Sequence, residues 1–195
     1  SNLAVTMAMA GWHVLLVDAD LRRPRMHEIF GLKNDTGLST LLSIDPVQGA
    51  AEGRQALTKS LRVCVQETDI PGLRVITSGY LPLNPTEVLG ATVMKRWFEE
   101  LRTAYNTDIV LFDTPPSLVV ADSSVLASTL KIPVLLVLQS GSVRHGAVLR
   151  AKEQFEHLGV EIAGVVLNAV SPKQRNYGYG YGNYYYYRDS GSRSN

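Results

Sequence analysis

The sequence predicts an α/β fold of three layers, in which a mostly parallel sheet is covered by helices on both faces. Short apolar runs of the kind that fill buried parallel strands recur along the 195 residues. Helical patterns of about ten or more residues separate most of these runs. Strands that alternate with such helices are typical of right-handed βαβ units and predict a parallel sheet.

The elements follow from local pattern. Residues 1–10, rich in Ala, Leu and Met, predict a helix that Gly11 ends. The region from 22 to 70 is less regular, with a turn at 34–37. Strands are predicted at 13–17, 73–77, 108–112, 133–138 and 161–167, and further helices at 38–42, 48–57, 86–104, 121–130 and 143–158.

A change of composition divides the chain. After Pro172 the sequence contains no Leu, Ile, Val, Phe or Met and consists mostly of Tyr, Gly, Ser, Asn and Arg. Such a segment cannot bury a core and is expected to be flexible. We therefore predict one folded domain over 1–172 and a flexible tail over 173–195.

Charge and cysteine content exclude several classes of function. The net charge of +1 gives no large field for nucleic acid, so no nucleic-acid partner is expected. The single cysteine, Cys64, lies in an apolar alternating stretch and is expected to be a buried thiol. No apolar run reaches the length of a bilayer span, and a cytoplasmic location is expected.

Three carboxylates follow the ends of predicted strands. Asp18 and Asp20 come after the first strand, and Asp113 follows the third. Open α/β sheets bind ligands beyond the carboxyl ends of their strands, and nucleotide-bound Mg²⁺ uses one or two carboxylates. The alternative is that Asp18 caps a turn and Asp113 caps the next helix.

Two of these segments resemble motifs of a known family. Residues 15–24 (LLVDADLRRP) resemble the Walker A′ motif, and residues 110–116 (VLFDTPP) the Walker B motif, of bacterial tyrosine kinases of capsule and exopolysaccharide biosynthesis. These kinases are similar to the MinD and ParA deviant Walker ATPases. The resemblance therefore implies a sheet of the P-loop NTPase type and a nucleotide-binding kinase domain over 1–172. The resemblance extends through residues 25–42, 77–89 and 165–168 and ends at the tyrosine cluster.

The resemblance implies the cofactors and the site. It implies ATP and Mg²⁺, with Asp18, Asp20 and Asp113 serving the metal and the attacking hydroxyl, and Asp18 and Asp113 as the metal ligands. It also implies that Asn168 hydrogen-bonds the adenine, although its residue type alone would equally suit a helix cap or a turn.

The resemblance further implies partners. It predicts a homo-oligomer, such as a ring, together with a transmembrane polysaccharide co-polymerase-type activator, fused or separate, and a tyrosine phosphatase. The chain would then lie at the inner face of the plasma membrane.

The glycine-rich phosphate loop of the family has no counterpart here. The sequence contains no GxxxxGK[ST] motif, and residues 141–146 (GSVRHG) lack the lysine. That loop would supply backbone N–H groups, a lysine and a magnesium-binding hydroxyl. We expect that the sequence begins downstream of such a loop and that, without it, this chain does not bind ATP productively.

Tyrosines concentrate in the tail. Such a segment could be a low-complexity contact segment, an aromatic platform for single-stranded nucleic acid, or a set of phosphoacceptors. We favour phosphoacceptors. The resemblance then implies an autokinase that acts between subunits and regulates polysaccharide polymerisation and export. The alternative is a MinD/ParA-like ATPase switch or a nonenzymatic interaction domain. The seven tail tyrosines are Tyr177, Tyr179, Tyr181, Tyr184, Tyr185, Tyr186 and Tyr187.

Three arginines follow the aspartates of the A′-like segment. Arg22, Arg23 and Arg25 are expected either to pair with acidic groups across a subunit contact or to form a solvated face.

Overall fold

The computed structural model describes residues 1–44, 59–104 and 106–170. Residues 59–64 are also helical. In chain order the elements are α1 (Asn2–Met9), β1 (Val14–Asp18), α2 (Met26–Phe30), α3 (Leu38–Leu42), β2 (Val65–Glu67), β3 (Leu73–Ile76), α4 (Pro85–Gly90), α5 (Thr92–Ala104), β4 (Ile109–Asp113), α6 (Asp122–Leu130), β5 (Val134–Gln139), α7 (His145–His157) and β6 (Ile162–Asn168).

The strands form a four-stranded sheet and a separate pair. The larger sheet has the order β2-β3-β1-β4, and β1 runs parallel to both of its neighbours. Strand β2 is antiparallel to β3 and closes one edge. Strands β5 and β6 pair with each other in parallel. Among the described residues β4 pairs only with β1, and β5 only with β6.

Helices cover both faces of the larger sheet, as predicted. All five residues of β1 are buried, and because successive side chains of a strand point to opposite faces, Leu15 and Val17 enter one core and Val14 and Leu16 the other. The first core contains α3, α4, α5 and α6, with Trp97 fully buried. The second contains Ala4 and Ala8 of α1.

A third, smaller core lies beneath the strand pair. Leu136 of β5 packs with Phe155 of α7, Ala127 of α6 and Val160. Several aliphatic side chains of the pair stay exposed, including Val137, Val165 and Leu167.

The structure corrects the predicted helix at 86–104. Two helices, α4 and α5, occupy this range, because Ala91 between them has an extended backbone with ψ 150°. Glycine is a weak helix former, and a Cβ on Gly90 would lie 2.9 Å from a methyl of Val125 in α6. The chain turns where α4 approaches α6 most closely.

The region before β3 also differs from its sequence pattern. Cys64 is buried as predicted, but it lies in a helical stretch and not in an alternating one. The edge strand β2 had no predicted counterpart. The predicted helix at 48–57 lies outside the described residues.

Candidate nucleotide and magnesium site

Two predicted site residues stand side by side at the carboxyl edge of the sheet. Asp18 is the last residue of β1 and Asp113 the last residue of β4, and the two are direct partners in the parallel register. The backbone N–H of Ala19 donates to the carbonyl oxygen of Asp113 at 2.8 Å, so the pairing continues past the carboxylates. The apolar runs that precede both residues therefore bring the two side chains together.

The carboxyl group of Asp18 is completely buried and only half satisfied. Its Oδ2 accepts hydrogen bonds from the backbone N–H groups of Arg25 at 3.1 Å and Met26 at 3.0 Å, where α2 begins. Its Oδ1 is buried and has no hydrogen-bond partner among the described residues. The pKa of Asp18 is raised to about 6: burial is the largest cause, the charge of Asp113 adds to it, and the backbone N–H of Met26 acts in the opposite direction.

Burial and a neighbouring carboxylate both disfavour the charged form of Asp113. Burial raises the pKa of its carboxyl group, and the charge of Asp20 raises it as well. A cation at this edge of the sheet would favour the charged form.

Asp20 has one oxygen committed to the local turn. Its Oδ1 accepts hydrogen bonds from the backbone N–H groups of Arg22 at 3.1 Å and Arg23 at 2.9 Å. This Asx-type turn explains why an aspartate suits the position without any ligand. Its charge nevertheless bears on Asp113, which puts Asp20 at the same edge of the sheet.

An ion pair that the sequence analysis missed holds the two acidic loops together. The Arg22 guanidinium donates from Nε to Asp122 Oδ2 at 2.7 Å and from Nη2 to Asp122 Oδ1 at 3.0 Å. Thr86 Oγ1 also donates to Asp122 Oδ1 and accepts from Arg22 Nη2 at 3.1 Å. We call Arg22, Thr86 and Asp122 the clamp.

The clamp connects three segments. Arg22 follows β1, Thr86 lies in the first turn of α4, and Asp122 is the first residue of α6. Asp122 is fully buried; burial alone would raise its pKa, but the hydrogen bonds from Arg22 and Thr86 hold it below the ordinary value. Aspartate is common at the first position of a helix, so the sequence alone gives Asp122 no special role. Its role in the clamp is seen only from its contact with Arg22.

The structure gives two of the three arginines acidic partners within the chain. Arg22 pairs with Asp122 in the clamp, and Arg25 pairs with Glu28 at 2.7 Å. Arg22, Arg23 and Arg25 are all exposed, as expected of a solvated face. A subunit contact stays a prediction.

A second loop at this edge is fixed by a close backbone approach. The N–H groups of Leu38 and Ser39, which open α3, donate to the carbonyl oxygens of Thr77 and Ser78 at 2.8 and 2.9 Å. A Cβ on Gly37 would lie only 2.1 Å from the Thr77 carbonyl oxygen. The loop after β3 is thereby held beside the end of β1.

Asn168 ends β6, and its contacts are local. Its carbonyl oxygen accepts from the N–H of Ser140, and its Oδ1 accepts from the N–H of Ala169, both at 2.8 Å. The second contact is typical of a turn residue, one of the alternatives for this position. An adenine contact stays a prediction. The predicted phosphoacceptors, Tyr177 to Tyr187, lie outside the described residues.

The carboxylates fit a magnesium ion that is bound together with a phosphate group. In the described part of the chain no three or more His, Cys, Asp or Glu side chains form a group that could hold a metal alone. Mg²⁺ with a nucleotide needs only one or two carboxylates, since phosphate oxygens and water complete its shell. The unpartnered Asp18 Oδ1, with Asp113 opposite, supplies such oxygens.

Comparison with known proteins agrees with this geometry. A family profile described as an AAA domain matches residues 1–143. Tyrosine-protein kinase YwqD of Bacillus subtilis is 37% identical over 179 residues, which are 91% of this chain and 69% of YwqD. The chain belongs to the bacterial tyrosine-protein kinase family.

Other relatives extend this finding. The putative tyrosine-protein kinase EpsB of Ralstonia solanacearum is also 37% identical over 91% of the chain, but the chain spans only 22% of EpsB. The kinase domain of the Escherichia coli tyrosine kinase Etk matches with a TM-score of 0.69 and 32% identity over 92% of this chain and 64% of that one.

The family fold reaches beyond the kinases. The cell division ATPase MinD of Pyrococcus furiosus matches with a TM-score of 0.60 and 19% identity, covering 90% of this chain and 70% of MinD, and this likeness concerns the fold alone. The P-loop NTPase type of fold is therefore confirmed for this bacterial tyrosine kinase relative. None of its described helices has the length and apolar character needed to cross a membrane.

Proposed function

We propose that the protein is a tyrosine autokinase with ATP and Mg²⁺ as cofactors, and that this chain supplies the carboxylates of its phosphoryl-transfer domain. This sequence has no glycine-rich phosphate loop and by itself would not bind ATP productively. In this proposal residues 1–172 form the kinase domain, and 173–195 carry the tyrosines that receive phosphate. One observation carries the proposal: the buried carboxylate of Asp18, with one oxygen that has no partner among the described residues, stands opposite a second carboxylate, Asp113.

The aspartates take different roles according to their surroundings. Asp18 and Asp113 would hold the metal, which supplies charge neutralisation on the transferred phosphate when it is bound. Asp20 is only half-buried, and its Oδ2 is not used by the turn that occupies Oδ1. It would orient the tyrosine hydroxyl and accept its proton as the Tyr oxygen bonds to the γ-phosphorus and the bond to the β-phosphate oxygen breaks.

The remaining parts of the proposal concern nucleotide and partners. Asn168 would contact the adenine from the carboxyl end of β6. The chain would act as a homo-oligomer at the cytoplasmic face of the membrane. Its partners would be a transmembrane activator of the polysaccharide co-polymerase type and a phosphatase that removes phosphate from the tail. Together they would control polysaccharide export. The family membership supports these assignments.

Mass spectrometry of the tail tests the proposal. The full-length protein is expressed with its activator beside Asp18→Asn and Asp20→Asn variants. We expect phosphate on residues between Tyr177 and Tyr187 in the wild type and its loss in Asp18→Asn. A tail without phosphate in active, ATP-hydrolysing wild-type protein would favour the ATPase switch instead.

A further inference from the structure

The loop that carries Asp20 belongs to no helix or strand. Residues 19–25 lie between the end of β1 and the start of α2. The shape of such a segment depends on the contacts that its residues make with the rest of the protein. Asp20 accepts from the backbone N–H groups of Arg22 and Arg23 through one oxygen, so the direction of its carboxyl group follows the backbone of these two arginines.

Two anchors fix that backbone. Leu21 is 1% exposed and enters the core that also contains α3 to α6. The side chain of Arg22 donates to Asp122 at 2.7 and 3.0 Å and to Thr86 at 3.1 Å. A bidentate contact between a guanidinium and a carboxylate fixes orientation as well as distance. The clamp therefore determines where the Arg22 N–H, and the Asp20 carboxyl group bonded to it, are placed.

Stability alone does not account for an ion pair at this place. Asp122 is fully buried, and the cost of removing a carboxylate from water offsets much of its attraction to Arg22. Apolar side chains of similar size are often as stable as a buried ion pair, but they do not impose its direction. The clamp joins the loop after β1 to the end of the loop after β4, so it sets the two acidic loops relative to each other.

We infer that Thr86 and Asp122 are positioning residues for phosphoryl transfer, which through Arg22 hold the carboxyl group of Asp20 where it accepts the proton of the tyrosine hydroxyl. The inference rests on the proposed autokinase function and on the role of Asp20 in it. Asp122 acts only through Arg22, because it is fully buried and both of its oxygens already accept hydrogen bonds within the clamp.

A double-mutant cycle tests the inference in the full-length protein with its activator. Asp122→Asn keeps the size of the side chain, but one of the two oxygens becomes an NH₂ group that cannot accept from the guanidinium. Tail phosphorylation is measured in the wild type, Asp122→Asn, Asp20→Asn and the double variant. Saturating ATP gives kcat, and a range of ATP concentrations gives the KM for ATP.

The effect should fall on kcat and should require Asp20. Asp122→Asn is expected to lower kcat about 5- to 20-fold, because a displaced proton acceptor loses part of its catalytic effect. The KM for ATP should stay within about twofold, since Asp20 acts on the hydroxyl and not on the nucleotide. In the Asp20→Asn background, Asp122→Asn should change kcat by less than about twofold, because no carboxylate is left to position.

Asp108→Asn is the matched control. Asp108 also accepts from a backbone N–H, that of His13 at 2.7 Å, and contacts the His13 ring at 3.2 Å. This pair lies where β1 and β4 begin, at the edge of the sheet opposite Asp18 and Asp113. The same change of Asp to Asn should therefore leave kcat unaltered.

Thr86→Val is the second clamp variant. It removes one hydrogen bond to Asp122 and should give a smaller fall in kcat with the same dependence on Asp20. It replaces Asp122→Asn in the cycle if that variant unfolds below the assay temperature.

Several results would overturn the positioning role and leave the autokinase proposal intact. These are an unchanged kcat in both clamp variants, an equal fall in kcat in the Asp20→Asn background, and an equal fall from Asp108→Asn. A rise in the KM for ATP with kcat unchanged would also overturn it, because the clamp would then serve nucleotide binding. If the wild type transfers no phosphate at all, the autokinase proposal fails and this inference fails with it.

Discussion

At Asp18 the two oxygen atoms of one carboxyl group have opposite surroundings. Oδ2 is satisfied by two backbone N–H groups, whereas Oδ1 is buried with no partner among the described residues. Leaving a buried acceptor unpaired costs about 1 to 3 kcal/mol. A cation bound at Oδ1 would remove this cost. The oxygen atom that destabilises the metal-free fold is therefore the one best placed to bind a metal ion.

Replacing Asp18 by Asn should therefore stabilise the metal-free protein at neutral pH. A carboxyl pKa of about 6 in the folded state lies above its ordinary value near 4, so wild-type stability is highest below pH 4 and falls as the pH rises through 6. Asn carries no charge to bury, and the free energy of unfolding should exceed that of the wild type by about 2 to 3 kcal/mol at pH 7.5. Urea denaturation at several pH values measures this.

The difference between the two proteins should shrink toward pH 4. The Asp20→Asn variant, changed at the half-buried aspartate, serves as the control and should follow the wild type. A pH-independent gap between Asp18→Asn and the wild type would contradict the burial of a charged group as its cause.

The affinity for Mg²⁺ should depend on the protonation of Asp18 in the same pH range. A proton on Asp18 competes with the ion, so in the full-length protein with ADP the affinity for Mg²⁺ should fall about tenfold per pH unit below pH 6 and level off above it. Isothermal titration calorimetry between pH 5 and 8 checks this. A flat profile would remove Asp18 from the metal shell.

At the scale of elements, the clamp joins three segments with one buried ion pair. Asp122 is fully buried, so removing Arg22 leaves an unpaired charge behind. Because Arg22 is 38% exposed, we expect Arg22→Met to lower the free energy of unfolding, but by less than the loss of a wholly buried partner would.

A second substitution should recover part of this loss. In Arg22→Met with Asp122→Asn the buried charge is gone, and the double variant should be more stable than Arg22→Met alone. Arg25→Met breaks only the exposed pair with Glu28 and should stay within about 0.5 kcal/mol of the wild type. Additive effects at Arg22 and Asp122 in thermal unfolding would mean that the two residues do not act as a pair.

The approach of α3 to the loop after β3 depends on the absence of one side chain. Gly37→Ala should cost about 2 to 3 kcal/mol, because its Cβ would meet the Thr77 carbonyl oxygen at 2.1 Å and neither backbone can move freely. Gly146→Ala is the matched control, with the nearest atom 3.8 Å away near the start of α7, and should be neutral or slightly stabilising. If chemical denaturation showed an equal loss of stability in Gly37→Ala and Gly146→Ala, the close approach of Gly37 to Thr77 would be refuted.

In the molecule as a whole, features set by local sequence were predictable, and features set by contacts between distant residues were not. The strands around Asp18 and Asp113 were predictable, because a buried strand is a local apolar run and its end is marked by the aspartate. The clamp was not predictable, because Arg22 and Asp122 are 100 residues apart and no local sequence pattern links one to the other. The break at Ala91 was not predictable either, because the close approach of Gly90 to Val125 joins residues that are distant in sequence.

The separation of the strand pair from the larger sheet has a practical consequence. The unpaired edges of β4 and β5 among the described residues, together with Val137 and Leu167 at 62% and 58% exposure, are templates for strand addition by other molecules. A purified preparation of exactly these 195 residues should therefore aggregate on warming into material rich in intermolecular β-structure. Light scattering should show slower growth of aggregates for Val137→Lys than for Leu149→Lys on α7, because Val137 lies on an exposed edge strand and Leu149 on a helix. The yield and shelf life of the chain would then depend on its exposed strands.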